Sequence, residues 1–125
     1  MISIEIKNRS AAHVDADRVR ALARETLEAE GIVEGDLGIA FVGGREMRAL
    51  KRDHLGADEA TDVLSFPIDA REPIPEGLPR QLGDVVLCPD VVGEEWRWPL
   101  VHGLLHLLGY DHGLEMEERE RELVP

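Results

Sequence analysis

The segment that most constrains the fold is the apolar run "VHGLLHLLGYDH" at residues 101–112. Four of its apolar residues follow the i, i+3, i+4, i+7 spacing of one helical face. These residues are Val101, Leu104, Leu105 and Leu108. The pattern predicts a helix over residues 99–108, with Pro99 at its first position and Gly109 at its end. A helix with such a face needs a second layer of structure to cover it.

The rest of the chain supplies that layer. Four segments have the alternating or short apolar pattern of strands, and three more have helical periodicity. We expect strands at 2–7, 37–43, 62–68 and 83–89, helices at 15–30, 45–55 and 115–123, and a proline-rich loop at 69–82. This order predicts an α/β or α+β layered domain with a mixed four-stranded sheet packed with helices. The length suits one domain, residues 1–125.

Charge and composition narrow the function classes. The formal net charge is −12, from 14 basic and 26 acidic residues, which argues against non-specific coating of nucleic acid. The excess acid is concentrated in residues 111–125, and residues 43–56 are locally basic, which leaves a face for a polyanion. One cysteine, no long apolar run and no secretory leader predict a cytoplasmic protein without a membrane partner. We also expect no DNA partner.

Three histidines in the apolar run predict a metal site. His102 and His106 lie four residues apart, so their rings share one helical face away from the leucines. Gly109 can reverse the chain so that His112 returns toward them. A lone histidine in such a helix is more often a hydrogen-bonded core residue, but three in H-x3-H-x2-G-x2-H are the ligand half of the metzincin pattern. Three imidazoles leave one open position on a tetrahedral ion, as catalytic zinc requires.

Zinc peptidases with this ligand spacing place a glutamate general base directly after the first histidine. This chain has Gly103 there, so the peptidase mechanism lacks its proton acceptor. Asp111 is the nearest candidate carboxylate. Two roles for it stay open: a catalytic one, and orientation of a ligand imidazole.

Three blocks closely resemble the YbeY family of bacterial rRNA maturation factors, described as metal-dependent endoribonucleases. They are "HGLLHLLGYDH" (102–112), "ATDVLSFP" (60–67) and "LGDVVLCP" (82–89), in the family's order. The resemblance implies one zinc ion held by His102, His106 and His112, and single-stranded RNA as substrate. It also implies a role in maturation of the 3′ end of small-subunit rRNA and in ribosome quality control, with the small subunit as partner.

The chain departs from the family pattern in two places. Many members carry an arginine ahead of the "TDVLSFP" block, and alignment of residues 54–58 puts Leu55 there. Arg52, one turn earlier, is then the candidate catalytic cation. Members also usually have an additional helix between the "LGDVVLCP" block and the histidines. In this chain only residues 90–98 separate the two, which leaves little room for it.

Further residues are candidates for RNA binding. Arg45, Arg48 and Arg52 follow i, i+3, i+7 spacing and could line one helical face toward phosphates, although a merely solvated basic face fits the spacing equally well. Ser65 and Asp84 lie in the matched strand blocks and would line the cleft if they face inward.

Two other functions stay open at this stage. The metal could serve hydrolysis of another bond, such as an amide or a small phosphoester. Alternatively, the chain could be a ribosome-assembly binding protein in which the metal is structural. The open coordination position favours a hydrolase, and Gly103 disfavours an amidase.

Overall fold

The computed structural model describes residues 1–55 and 61–125, which form one sheet with helices on both faces. The strands are β1 (Ile2–Asn8), β2 (Gly35–Phe41), β3 (Val63–Pro67) and β4 (Gln81–Leu87). The helices are α1 (Ala16–Ala29), α2 (Gly44–Leu55), α3 (Pro89–Val92), α4 (Arg97–Leu107) and α5 (Leu114–Leu123). None of the helices in these two ranges is long and apolar enough to cross a lipid bilayer.

The four strands lie in the order β1-β2-β4-β3. β1 pairs with β2 and β2 with β4 in parallel, whereas β3 runs antiparallel to β4 at the sheet edge. Pro67 ends this edge strand, where a residue without an N–H is tolerated. The predicted mixed four-stranded sheet packed with helices is therefore confirmed.

Alternation along the strands divides the core between the two faces of the sheet. On β4, Val85 packs in the larger core with α1 and α4, and its neighbour Val86 packs in a smaller core with Met47 of α2. Helix α4 therefore lies on one face and α2 on the other. This separation decides which of the predicted site residues can meet.

Most predicted boundaries are close to the observed ones. Asp15 is the N-cap of α1, and its Oδ1 accepts a hydrogen bond from the Arg18 N–H at 3.2 Å. Gly31 follows the helix with a φ of +79°.

Three elements, β2, β4 and α4, begin two residues earlier than predicted, with β2 starting at Gly35, and one helix was missed. α4 begins at Arg97, so Pro99 is its third residue; the first-turn N–H groups have no helical partner, so proline is tolerated there too. β4 begins at Gln81, inside the predicted loop. The missed helix α3 is a single turn, and Trp96, between it and α4, packs against the larger core.

Candidate metal centre

Helix α4 is held rigidly by its leucine face. Val101, Leu104 and Leu105 are fully buried and Leu108 is 5% exposed, as the spacing predicted. They pack in one core with α1, β2 and β4. His102 and His106 lie on a different face of the same helix and stay partly exposed. The two rings are thus presented on an element that needs little ordering before it binds a ligand.

Gly103 lets α4 approach the sheet closely. A Cβ at this position would lie 2.8 Å from Cγ2 of Val63 and 2.9 Å from Cγ1 of Val85. The Ser65 hydroxyl donates a 2.6 Å hydrogen bond to the Gly103 carbonyl oxygen. Position 103 therefore faces strands β3 and β4, where a glutamate would have no room.

The turn after α4 returns the third histidine to the first two. Gly109 has a φ of +104°, and its N–H bonds the His106 carbonyl at 3.0 Å. The Tyr110 N–H donates to the Leu105 carbonyl at 3.0 Å. Together with the left-handed conformation of Gly109, this bond forms a glycine C-cap that ends the helix. The predicted reversal at Gly109 is confirmed, and it brings His112 back over the helix end.

The three imidazoles converge. Their ring centroids are 4.3–5.1 Å apart, and one ring nitrogen from each of His102, His106 and His112 lies within 4.8 Å of the others. Nε2 of His106 is 3.0 Å from Nε2 of His112. Two nitrogens bound to one tetrahedral zinc ion lie roughly 3.3 Å apart. The donor set and its spacing therefore fit one zinc-like ion, with a fourth position free of protein ligands from the described residues.

Two of the rings have outer hydrogen-bond partners. Nδ1 of His102 is 2.6 Å from Oε1 of Glu120, and Nδ1 of His106 is 2.9 Å from the Tyr110 carbonyl oxygen. Both contacts leave Nε2 to face a metal. Burial, and the charge that His102 and His112 can carry, lower the pKa of His106, so this ring is neutral and ready to coordinate near pH 7.

The predicted carboxylate lies beside the site without contacting a ligand ring. Asp111 is exposed and lines an open groove together with His112 and Arg71. The carboxylate bonded to a ligand imidazole is instead Glu120, on α5. Sequence reasoning missed Glu120 because it belongs to another helix, eighteen residues from His102.

The predicted basic face is formed but does not meet the histidines. Arg45, Arg48 and Arg52 line one groove on α2, on the sheet face opposite α4. Nε of Arg52 is 3.4 Å from Oδ1 of Asp53. The alignment that placed Leu55 at the family arginine runs into residues 56–60, which lie outside the described part of the chain. The catalytic role of Arg52 stays a prediction.

Ser65 and Asp84 do not line a common cleft. Ser65 points toward α4, where its hydroxyl bonds Gly103. Asp84 is exposed on the α2 face of the sheet, where it is paired with Gly38 of β2. It lines a groove that also contains Lys7 and Arg9. Ser65 thus supports helix α4, and Asp84 lies on the other face of the sheet from this helix.

Comparison with known proteins places the three histidines within a known family. A family model described as "Endoribonuclease YbeY" matches residues 4–124. The chain belongs to the YbeY family. The YbeY endoribonuclease of Salinispora tropica is 39% identical over 95% of this chain and 88% of its own length. That of Halorhodospira halophila is 40% identical over 91% of this chain and 84% of its own length.

A solved structure shares the YbeY-family fold seen here. The solution structure of a Thermotoga maritima protein superposes with a TM-score of 0.60 at 26% identity. The match covers 97% of this chain and 86% of that one. The layered arrangement of sheet and helices around α4 is therefore shared with an experimentally determined structure.

Proposed function

We propose that this chain is a zinc-dependent endoribonuclease, specific for single-stranded RNA, that matures the 3′ end of small-subunit rRNA and takes part in ribosome quality control. Residues 1–125 would act as one metal-dependent hydrolase domain in the cytoplasm, with the small ribosomal subunit as partner. The observation that carries the proposal is the convergence of His102, His106 and His112 in a member of the YbeY family.

The site has the parts that phosphodiester hydrolysis needs. His102, His106 and His112 would hold one zinc ion, which when bound supplies Lewis acidity toward a phosphodiester oxygen. Asp111 borders the same groove as His112 and is our candidate for the group that accepts a proton during cleavage. Arg71 lines this groove as well, and its Nη2 donates to Oε1 of Glu30 at 2.6 Å, so its charge is paired with that carboxylate.

RNA outside the reaction centre would be held by charge rather than by base recognition. Aromatic residues make up only 4% of the chain, so stacking platforms for bases are few. Arg45, Arg48 and Arg52 share one groove and are the candidate phosphate contacts. Because they lie across the sheet from the histidines, we assign Arg52 to binding of the flanking strand. The roles of Asp84 and Ser65 in RNA binding stay predictions, and they are weaker candidates for phosphate contact because the first is acidic and the hydroxyl of the second bonds Gly103.

The geometry weighs against the two other functions. Amide hydrolysis by the peptidase route needs a glutamate at position 103, where the sheet leaves no room for a side chain. A purely structural metal is disfavoured because His102 and His106 are only partly buried and His112 is exposed, so the site is open to substrate. RNA cleavage would use the same three histidines, and it requires neither a glutamate at position 103 nor a structural role for the metal.

A cleavage assay tests the proposal. Untagged protein is incubated with single-stranded RNA, duplex RNA, single-stranded DNA and a peptide, with and without a chelator. We expect cleavage of single-stranded RNA only, its loss on chelation and its return with added zinc. His106→Ala should abolish cleavage, whereas His13→Ala, at an exposed position away from the site, should not. Cleavage that survives both chelation and His106→Ala would overturn the proposal.

A further inference from the structure

The shortest contact to a ligand ring comes from the C-terminal helix. Oε1 of Glu120 is 2.6 Å from Nδ1 of His102, and only 13% of the Glu120 side chain and 29% of that of His102 are exposed. A carboxylate can only accept hydrogen bonds, so Nδ1 of His102 carries the proton. The lone pair of a neutral ring is then on Nε2, the nitrogen that a metal would bind. The contact therefore selects one tautomer and fixes the plane of the ring.

Glu120 is itself held in place by its neighbour on α5. Nε of Arg119 donates to Glu30 at 2.6 Å, and its Nη2 donates to the Ala29 carbonyl at 2.9 Å, both at the end of α1. Met116, one turn earlier on α5, is 1% exposed in the larger core. These contacts fix α5 against the end of α1 and the larger core, so the Glu120 carboxylate is directed at His102 without a large entropic cost.

We propose that Glu120 is a positioning residue of the metal site, which makes the C-terminal helix part of that site. Its carboxylate holds His102 in the Nδ1–H tautomer with Nε2 toward the ion, and places a negative charge behind the ligand ring. This role rests on the proposed metal centre. Carboxylate partners of this kind affect metal affinity although they touch no metal.

The surrounding geometry distinguishes this role from simple packing. His106 is oriented by the backbone carbonyl of Tyr110, which no substitution of a side chain removes. His102 depends on one side chain from another helix. Removal of the Glu120 carboxylate should thus weaken a site whose other ligands stay in place, and the loss should be in zinc affinity.

Zinc affinity, measured by competition with a fluorescent chelator, tests the proposal. We compare the wild type with Glu120→Ala, which removes both the hydrogen-bond acceptor and the charge, and with Glu118→Ala, which removes the same side chain from an exposed position on α5. Glu120→Ala should weaken zinc binding about 10-fold or more, and Glu118→Ala should leave it unchanged. Equal zinc affinity in all three proteins would overturn the positioning role. A wild type that binds no zinc would instead overturn the metal centre itself.

A second measurement needs no variant and decides the matter should Glu120→Ala fail to fold. Two-bond proton–nitrogen NMR of the metal-free wild type reports the tautomer of each histidine. We expect the Nδ1–H form for His102, at a pH where its ring is neutral. Observation of the Nε2–H form would contradict the contact and overturn the proposal.

Discussion

The hydroxyl of Ser65 donates a 2.6 Å hydrogen bond to the carbonyl oxygen of Gly103, across the contact between strand β3 and helix α4. The bond lies where helix α4 packs closely on strands β3 and β4, one residue from the candidate ligand His102. Because Gly103 has no side chain, the helix that carries two of the candidate metal ligands sits directly on the strands. The position of the site is thus set by packing as well as by the histidines.

Gly103→Ala should destabilise the fold. Its Cβ would meet Val63 and Val85 at under 3 Å, so strand or helix must shift, at a cost of about 1–3 kcal/mol. Urea unfolding of chelator-treated protein measures this cost. Gly43→Ala is the control, because its Cβ would have its nearest neighbour at 4.0 Å. Equal unfolding free energies for the two variants would show that α4 is not closely packed at Gly103.

Ser65→Ala should lower the free energy of unfolding by about 1 kcal/mol, which is less than the effect of Gly103→Ala. The Gly103 carbonyl loses one hydrogen bond, while the helix stays on the strands. Urea unfolding in the presence of chelator again gives the value. A loss as large as that of Gly103→Ala would mean that the hydroxyl, rather than the absence of a Cβ, determines the position of α4.

His102→Ala should abolish zinc-induced stabilisation without unfolding the chain. The ring is partly exposed and lies outside both cores, so its removal leaves no large cavity. At a free zinc concentration 1,000 times Kd, binding adds about 4 kcal/mol to the wild type. Thermal unfolding with and without zinc, followed by circular dichroism, should show this gain in the wild type and in His13→Ala only. Loss of the folded signal in His102→Ala would support a structural metal instead.

Acid should weaken the ion pair between Glu30, at the end of α1, and Arg119 of α5. Burial raises the pKa of Glu30, but hydrogen bonds from Arg119 and Tyr110 outweigh burial and hold that pKa below its ordinary value. The stabilisation is therefore complete above the ordinary glutamate pKa of about 4.3 and is lost as the pH falls through the lower folded pKa.

The Glu30→Gln variant isolates this effect, because other carboxylates titrate in both proteins. At neutral pH it should be less stable than the wild type by about 2 kcal/mol, the value of a hydrogen bond to a charged group. Urea unfolding with chelator at several pH values should show the two curves converging in acid. A difference that is independent of pH would contradict the assigned protonation of Glu30.

Arg45→Ala should weaken RNA binding with a reduced salt dependence. If this side chain neutralises one phosphate, the slope of log K against log salt should fall by about 0.7 for a single strand. Fluorescence anisotropy with labelled single-stranded RNA at several salt concentrations measures the slope. Arg18→Ala, which removes a cation from α1, is the control. An unchanged slope for Arg45→Ala would mean that the α2 groove does not bind RNA.

Local patterns were sufficient to predict most of the elements and the convergence of the three histidines. The four-residue spacing of His102 and His106 and the helix-ending Gly109 are local features, and such features determine helix faces and turns directly. The mixed sheet followed from the order of strand and helix patterns. The helix α3 was missed because a single turn has no periodicity to detect.

The outer partners of the site could not be predicted in this way. Glu120 reaches His102 because Arg119 bonds the end of α1 and Met116 packs in the larger core, which is a tertiary effect with no fixed spacing in the sequence. Asp111 was favoured since it is adjacent to His112 in the chain, yet its side chain contacts no ligand ring. Similarly, Ser65 and Asp84 both lie in matched strand blocks, but strand alternation places them on opposite faces.

Metal content of the chain, purified without a histidine tag and measured by elemental analysis, tests the central claim most directly. We expect one equivalent of zinc per chain in the wild type after loading and desalting, and none in the His102→Ala, His106→Ala double variant. No retained metal in the wild type, or equal retention in the double variant, would contradict the assignment of His102, His106 and His112 as a metal centre.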